Sequence, residues 1–245
     1  MTKIIYLTAF IFLLSCHHVY ARTSDDLKQK IERIVSAKNA VAGVAITGND
    51  GGGTVSVSIN GEKRFPMQSV FKFHIGLAVL SAIDKGSFTL DQKITIPKNA
   101  MLETLFSPIR DEYPEGAELT IAKILEYTVS QSDNVGCDAL LRLLDGPDAV
   151  ERYFAENNFT DISIKINENV MQKYRDLQFQ NWTTPNSANR VLESFYYNEK
   201  KLLSQKKSRL HLENNARNFD WKEQIEGIAA RSGRRRSQNR LVGDR

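Results

Sequence analysis

The sequence predicts an α/β fold in which an antiparallel sheet packs on helices and a mostly helical second subdomain is inserted in the middle of the chain. Three observations predict it. An amphipathic helical pattern is followed by two β-branched runs that flank a glycine cluster; a segment apolar nearly all round comes next; and four further helical stretches follow, two of them opening on proline. With 245 residues, 41% of them apolar, the chain can bury a core suited to one large domain or two small ones.

The N-terminus reads as an export signal over residues 1–21. Lys3 supplies the charged start, Ile4 to Leu14 the apolar run, and Val19-Tyr20-Ala21 the small-residue cleavage spacing. The apolar run is too short for a permanent membrane span. Leu13-Leu14-Ser15-Cys16 offers a competing reading, a lipoprotein signal with Cys16 retained and lipidated. Both readings take the protein out of the cytoplasm, to the periplasm. Removal of residues 1–21 leaves Cys137 alone, so no intrachain disulfide is expected; its helical, apolar surroundings suggest a buried structural thiol.

In the segment 22–207, Leu27, Ile31, Ile34 and Val35 recur at helical spacing and predict a helix over 25–37. Val41 to Ile46 and Thr54 to Ile59 read as strands, with Asn49-Asp50-Gly51-Gly52-Gly53 as the hairpin turn between them. Val70, Phe73, Ile75, Leu77, Val79, Leu80 and Ile83 form a helix that must be central and buried, closed by Lys85-Gly86. Further helices are predicted at 120–130, 133–145, 147–157 and 185–203, with Pro147 and Pro185 in first-turn positions.

Ser69 and Lys72 stand at the start of the buried helix, three residues apart, so one turn stacks the amine beside the hydroxyl. That is the geometry a nucleophile and a proton acceptor need. The pattern S-x-x-K is weak by itself, since it recurs at Ser204-Gln205-Lys206-Lys207 in a polar stretch with no buried helix after it. Ser69 alone would read as a helix cap. Ser132-Asp133-Asn134 follows 63 residues later at the opening of another helix, and alone it too reads as a cap. Together they make an acyl-transfer set: a second hydroxyl can relay a proton to a leaving nitrogen, and an asparagine amide can hold a substrate carbonyl.

Phe65-Pro66-Met67-Gln68-Ser69-Val70-Phe71-Lys72-Phe73, Tyr127-Thr128-Val129-Ser130-Gln131-Ser132-Asp133-Asn134 and Asn181-Trp182-Thr183-Thr184-Pro185 resemble the class A serine β-lactamases, in their extended-spectrum, cephalosporin-hydrolysing branch. The likeness covers residues from about 25 to 205. It implies the serine β-lactamase and penicillin-binding-protein fold, a small-molecule β-lactam substrate, no cofactor and a monomer. It further implies a loop glutamate that activates the deacylating water. Glu168, 99 residues after Ser69 and 34 after Asn134, takes that place, the bland alternative being a solvated loop carboxylate. Where most of the family has asparagine four residues beyond this glutamate, this chain has Gln172, whose amide is a candidate partner for the water. Phe106, before Ser107-Pro108-Ile109, resembles the aromatic wall beside the substrate, and reads equally as a core aromatic.

The resemblance also implies a late Lys-Thr-Gly or Lys-Ser-Gly strand, and none occurs after residue 205. Residues 206–245 instead hold eleven Lys/Arg against five Asp/Glu, including Arg234-Arg235-Arg236, while residues 1–205 are nearly neutral. The closing strands and helix of the fold are therefore expected to be missing. The genetic code supplies an explanation. Ser237-Gln238-Asn239-Arg240-Leu241 can be encoded TCA CAA AAC AGG TTG, which shifted by one base reads His-Lys-Thr-Gly. Arg209 to Ala216 can shift likewise to Asp-Tyr-Ile-Trp-Lys-Ile-Met, a helical sequence. Residues 208–245 are expected to be read out of frame, from a departure between about Gln205 and Arg209.

Two other activities use the same features. A D,D-peptidase or penicillin-binding protein shares the acylation residues but lacks the loop carboxylate, and a catalytically dead relative is a further alternative for the chain as written. The basic tail suggests an anionic-surface or nucleic-acid binder, but an exported protein has little access to nucleic acid, and Phe219 and Trp221 are the tail's only aromatics. No metal site is expected: His17 and His18 lie in the signal, His74 in the buried helix and His211 in the basic tail.

Overall fold

The computed structural model describes residues 24–49, 54–197 and 203. The expected export signal over residues 1–21, the expected turn residues 50–53, Ser204-Gln205-Lys206-Lys207 and the basic residues 208–245 lie outside the described residues. The described residues form two compact units, one of those up to Phe65 with Thr183–Glu193, the other of Pro66–Trp182 with the described residues from Ser194.

In the first unit, helix α1 (24–36) is followed by β1 (Val44–Asn49) and β2 (Thr54–Ile59), an antiparallel pair in register from Val44↔Ile59 to Asn49↔Thr54. β1 begins three residues later than the β-branched pattern predicts and runs three further. The Asn60 side chain claims the Ala42 carbonyl at 2.7 Å. A Cβ on Gly43 would stand 2.4 Å from the Phe65 ring and 2.6 Å from the Pro185 ring, so the chain there is fixed by close approach instead of ladder pairing. The opening residues of α8 (Pro185–Tyr197) join this unit: Asn186 accepts from Ser58 Oγ at 2.9 Å, and Asn189 donates to Thr47 Oγ1 at 2.7 Å. Leu203 is buried and non-helical, so the helix predicted over 185–203 stops short of it.

The second unit is built round α2 (Phe71–Asp84). Phe71, Ile75, Leu77, Val79, Leu80 and Ile83 are all buried, which is the apolar circumference the sequence shows. α2 packs against α4 (Ile121–Ser130), α5 (Asn134–Leu143) and α6 (Pro147–Glu156). Each such buried aliphatic or aromatic side chain contributes about 1.5–3 kcal/mol relative to exposure. Gly86, with φ +81°, follows the end of α2 in the left-handed conformation that stops the helix. Thr120 caps α4 through the Lys123 amide, and Pro147 opens α6.

The mostly helical expectation for this region needs one amendment. β4 (Lys93–Pro97) and β5 (Gly116–Thr120) form an antiparallel pair, with Ile96 opposite Ala117, and the short α3 (Pro108–Glu112) lies between them. Two-residue strands β3 (Phe65–Pro66), β6 (Ile162–Ser163) and β7 (Trp182–Thr183) make a sheet in the order β3–β7–β6. No helix among the described residues is long and apolar enough to cross a membrane.

Candidate active site

Ser69 sits in a single 3-10 turn, Gln68–Val70, directly before α2. Its hydroxyl caps nothing: neither the turn nor α2 has a side-chain cap. Gln68 on one side of it has φ +46°, and Ser132 across from it has φ +60°, both left-handed and both non-glycine. Such residues persist only where their surroundings fix them. The Met67 amide donates to the Asn181 carbonyl at 2.8 Å and the Asp133 amide to the Tyr127 carbonyl at 3.1 Å, which hold the two turns. In that arrangement Ser132 Oγ donates to Ser69 Oγ at 2.9 Å.

Lys72, one turn into the helix and 1% exposed, uses all three of its N–H bonds. Nζ donates to Ser69 Oγ at 3.0 Å, to Asn134 Oδ1 at 2.7 Å, and to Glu168 Oε1 in a direct ion pair. Three donors meeting three acceptors describe an ammonium. Lysine only donates, so the Asn134 oxygen faces Lys72 and its NH₂ faces away, free to donate to a substrate carbonyl.

Glu168 is not a solvated loop carboxylate. It is the first residue of α7 (Glu168–Lys173), is 8% exposed, and follows the cap Asn167, whose side chain accepts the Val170 amide at 2.9 Å. Its Oε1 holds Lys72, and its Oε2 makes no hydrogen bond among the described residues.

Two buried side chains hold this loop. Asp138, on α5, accepts the backbone amides of Glu168 at 2.8 Å and Asn169 at 3.1 Å. Burial pushes its carboxyl up to about 6, opposed by those two amides. Asn181, fully buried, accepts the amides of Lys165 at 2.8 Å and Ile166 at 3.0 Å and donates to the Ile166 carbonyl at 2.8 Å. Gln68 adds a side-chain hydrogen bond to Gln178, which ties the nucleophile's neighbour to the 3-10 segment Arg175–Gln180. Sequence reasoning assigned no function to Asp138, although a carboxylate among Val135, Cys137, Ala139, Leu140 and Leu141 is the signal of a buried, purposeful charge.

The structure thus joins Ser69, Lys72, Ser132, Asn134 and Glu168 in one hydrogen-bonded chain. Phe106 lies beside it: its carbonyl accepts the Asn134 amide at 3.1 Å, while its ring is 51% exposed, so it is not a core aromatic. Gln172 stands apart, exposed one turn along α7 from Glu168, and makes none of these hydrogen bonds. Cys137 is buried and unpaired, and desolvation drives its thiol well above the ordinary range, the property of an inert thiol. His74 is buried on α2 with its Nδ1 3.2 Å from the Val70 carbonyl and its ring against Phe154, and burial holds it down at about 4. Among the described residues no group of three side chains could hold a metal ion.

A buried lysine bonded at once to a serine hydroxyl and a carboxylate, with a second hydroxyl on the serine, can perform acyl transfer followed by hydrolysis. Residues 26–224 match the model of the β-lactamase enzyme family. The chain is 50% identical to β-lactamase VEB-1 of Pseudomonas aeruginosa over 183 residues, 75% of this chain and 60% of that protein. It is 37% identical to the extended-spectrum β-lactamase PER-1 of the same organism, covering 69% of this chain and 54% of that one. The crystal structure of TLA-1 extended-spectrum β-lactamase superposes with a TM-score of 0.70 at 39% identity, covering 74% of this chain and 65% of that one. A β-lactamase from Chitinophaga pinensis gives 0.69 at 39% identity, with 74% and 65% covered. The chain spans less than two thirds of the length of each of these four relatives. The chain belongs to the β-lactamase enzyme family, among its class A members.

Proposed function

We propose that this site hydrolyses the β-lactam amide of penicillins and cephalosporins through a serine acyl-enzyme, conferring antibiotic resistance. The carrying observation is the Lys72 ammonium bonded both to Ser69 Oγ and to Glu168. An ammonium has no lone pair, so Lys72 must first pass a proton along its hydrogen bond to Glu168 before it can take the proton of Ser69. Ser69 Oγ then bonds to the lactam carbonyl carbon and the ring C–N bond breaks. Net, one proton travels from Ser69 to the ring nitrogen, through Lys72 Nζ and Ser132 Oγ. The Asn134 NH₂ holds the amide carbonyl of the substrate side chain.

With its proton returned to Lys72, Glu168 takes one from water at Oε2 and the water oxygen adds to the ester carbonyl; the bond from that carbon to Ser69 Oγ then breaks, and the proton passes from Glu168 to Ser69 Oγ, which leaves as a hydroxyl. Glu168 is what separates this reading from a penicillin-binding D,D-peptidase, in which the ester persists. All of these groups come from one unit of one chain, which supports action as a monomer. The signal over residues 1–21 supports export to the periplasm. We further propose that residues 208–245 are an out-of-frame reading that displaces the Lys-Thr-Gly strand, so that turnover by the chain as written falls far below that of a frame-restored gene.

Nitrocefin turnover and mass spectrometry test these proposals on both versions. Sustained hydrolysis by the frame-restored protein is expected, abolished by Ser69→Ala. Glu168→Gln should accumulate a covalent adduct on Ser69, with turnover lowered by about 10³-fold or more. A burst without turnover in the unmutated, frame-restored protein would indicate the peptidase instead. Equal turnover by both versions would overturn the frame proposal, as would a gene sequence that encodes no Lys-Thr-Gly in either shifted frame.

A further inference from the structure

The turn that delivers Phe106 to the site is gathered by one side chain on α3. Arg110 Nη1 donates to the carbonyls of Leu102 at 3.0 Å, Glu103 at 3.2 Å and Leu105 at 2.5 Å. Its Nη2 and Nε turn the other way, onto Asp111 Oδ1 at 2.6 and 3.1 Å, which fixes the plane of the guanidinium. The next anchor is Ser107, fully buried, whose hydroxyl donates to both oxygens of Asp133 and accepts the Arg110 amide at 3.0 Å. Leu105 and Ser107 are buried, and between them the Phe106 ring is turned outward, its carbonyl on the Asn134 amide.

Nη1 carries two N–H bonds, so the three converging carbonyls share them, one hydrogen serving two acceptors, and the charge of the guanidinium strengthens each contact. With Arg110 on one side of Phe106 and Ser107 on the other, the aromatic ring has little freedom to leave the side of Asn134. We propose that Arg110 is a positioning residue that holds Phe106 in place as the apolar wall for the aryl or alkyl side chain of the substrate. The placement of Phe106 is independent of the reaction, whereas the wall's substrate rests on the β-lactam hydrolase reading above.

Amide hydrogen exchange by NMR, on the chain as it exists, tests the placement. In Arg110→Met the amides of Leu105 and Asn134 should exchange about tenfold faster or more, while Gly136, bonded to Asp133, stays protected. Arg110→Lys, which keeps the charge but loses the planar fork that Asp111 fixes, should give an intermediate result. Unchanged protection of the Asn134 amide in Arg110→Met overturns the inference whether or not the protein turns over.

Kinetics in the frame-restored protein test the consequence. For benzylpenicillin, Arg110→Met should raise KM about tenfold with kcat kept, as should Phe106→Ala, and the double variant should be no worse than either alone. For 6-aminopenicillanic acid, which lacks the aryl group, KM should not move. A loss of kcat on both substrates would mean general damage and would overturn the wall. Absence of both nitrocefin turnover in the frame-restored protein and any Ser69 adduct in its Glu168→Gln variant would instead remove the hydrolase reading and leave the exchange result to decide the placement.

Discussion

Asp133 and Asp138 are buried acids a little over one helical turn apart, at the start of α5 and within it, yet they are solvated by the protein to different degrees. Asp133 takes the Ser107 hydroxyl on both oxygens, the Ile109 amide at 2.7 Å and the Gly136 amide at 2.7 Å. Among the described residues Asp138 takes only the amides of Glu168 and Asn169. Desolvation dominates at Asp138, with the nearby Glu168 charge adding to it and Arg142 opposing it. The first carboxylate fixes the loop that carries Phe106, and the second fixes the loop that carries Glu168. The comparison teaches that a buried carboxylate anchors a loop through the donors it gathers, and that where few donors reach it, as at Asp138, burial raises its pKa.

Removing the better-solvated acid is the harshest way to break this comparison. Asp133→Ala leaves the Ser107 hydroxyl and the amides of Ile109 and Gly136 buried without their acceptor, at about 1–3 kcal/mol each before relaxation. A loss of about 3–5 kcal/mol is expected in urea unfolding, the size of a broken buried network. An unchanged midpoint would show that water or a rotated side chain replaces the carboxylate, and that Asp133 is no anchor.

The pH dependence of stability sharpens it, since Asp138 and His74 pull in opposite directions. The native Asp138 pKa lies near 6, against 3.8 for the ordinary side chain. Between these values the native state holds the extra proton, so this group adds stability as pH falls from 6 toward 4. His74 goes from 6.5 to about 4, through burial. The unfolded state then holds the extra proton, and stability is lost as pH falls from 6.5 through 4. Each effect is at most about 3 kcal/mol, and the two partly cancel. Asp138→Asn should therefore steepen the acid loss of stability over that window, and His74→Phe should flatten or reverse it. Parallel profiles for the two variants, measured by chemical denaturation from pH 7 to 4, would refute both assignments.

The sequence made legible what is periodic or local. Ser69 and Lys72 meet because helical spacing brings side chains three apart together, and Gly86, Pro147 and Pro185 mark ends that backbone conformation dictates. Asp138, Asn181 and Arg110 were not legible as site supports, because their partners are backbone groups 30, 15 and five to eight residues away, and a main-chain amide or carbonyl carries no sequence signature. β4 was missed although Ile94 and Ile96 alternate with polar neighbours, since five residues ending in proline are a faint strand signal beside long helices. α3 was missed for its brevity, although Ser107-Pro108 is a sound helix start: serine as cap and proline in the first turn. The reading-frame expectation for 208–245 rests on codons at 209–216 and 237–241, and these residues lie outside the described residues.

The mildest test concerns the packing that brings Asp133 to its donors. A Cβ on Gly136 would stand 2.7 Å from Thr128 Oγ1 and 3.0 Å from Ile109 Cδ1. Thr128 is β-branched and stiff in its helix, so α4 and α5 must separate slightly to admit a methyl group, which costs about 1–3 kcal/mol. Alanine returns about 1 kcal/mol of helix propensity over glycine, so Gly136→Ala should destabilise by only about 1 kcal/mol net. The Thr128 hydroxyl is buried without a hydrogen-bond partner among the described residues, so removing it forfeits no hydrogen bond there. Thr128→Ala should therefore restore most of the loss in the double variant, measured as a coupling in thermal unfolding. If the two losses simply add, the close approach is not what glycine is there for, and Asp133 holds the start of α5 without help from the helix behind it.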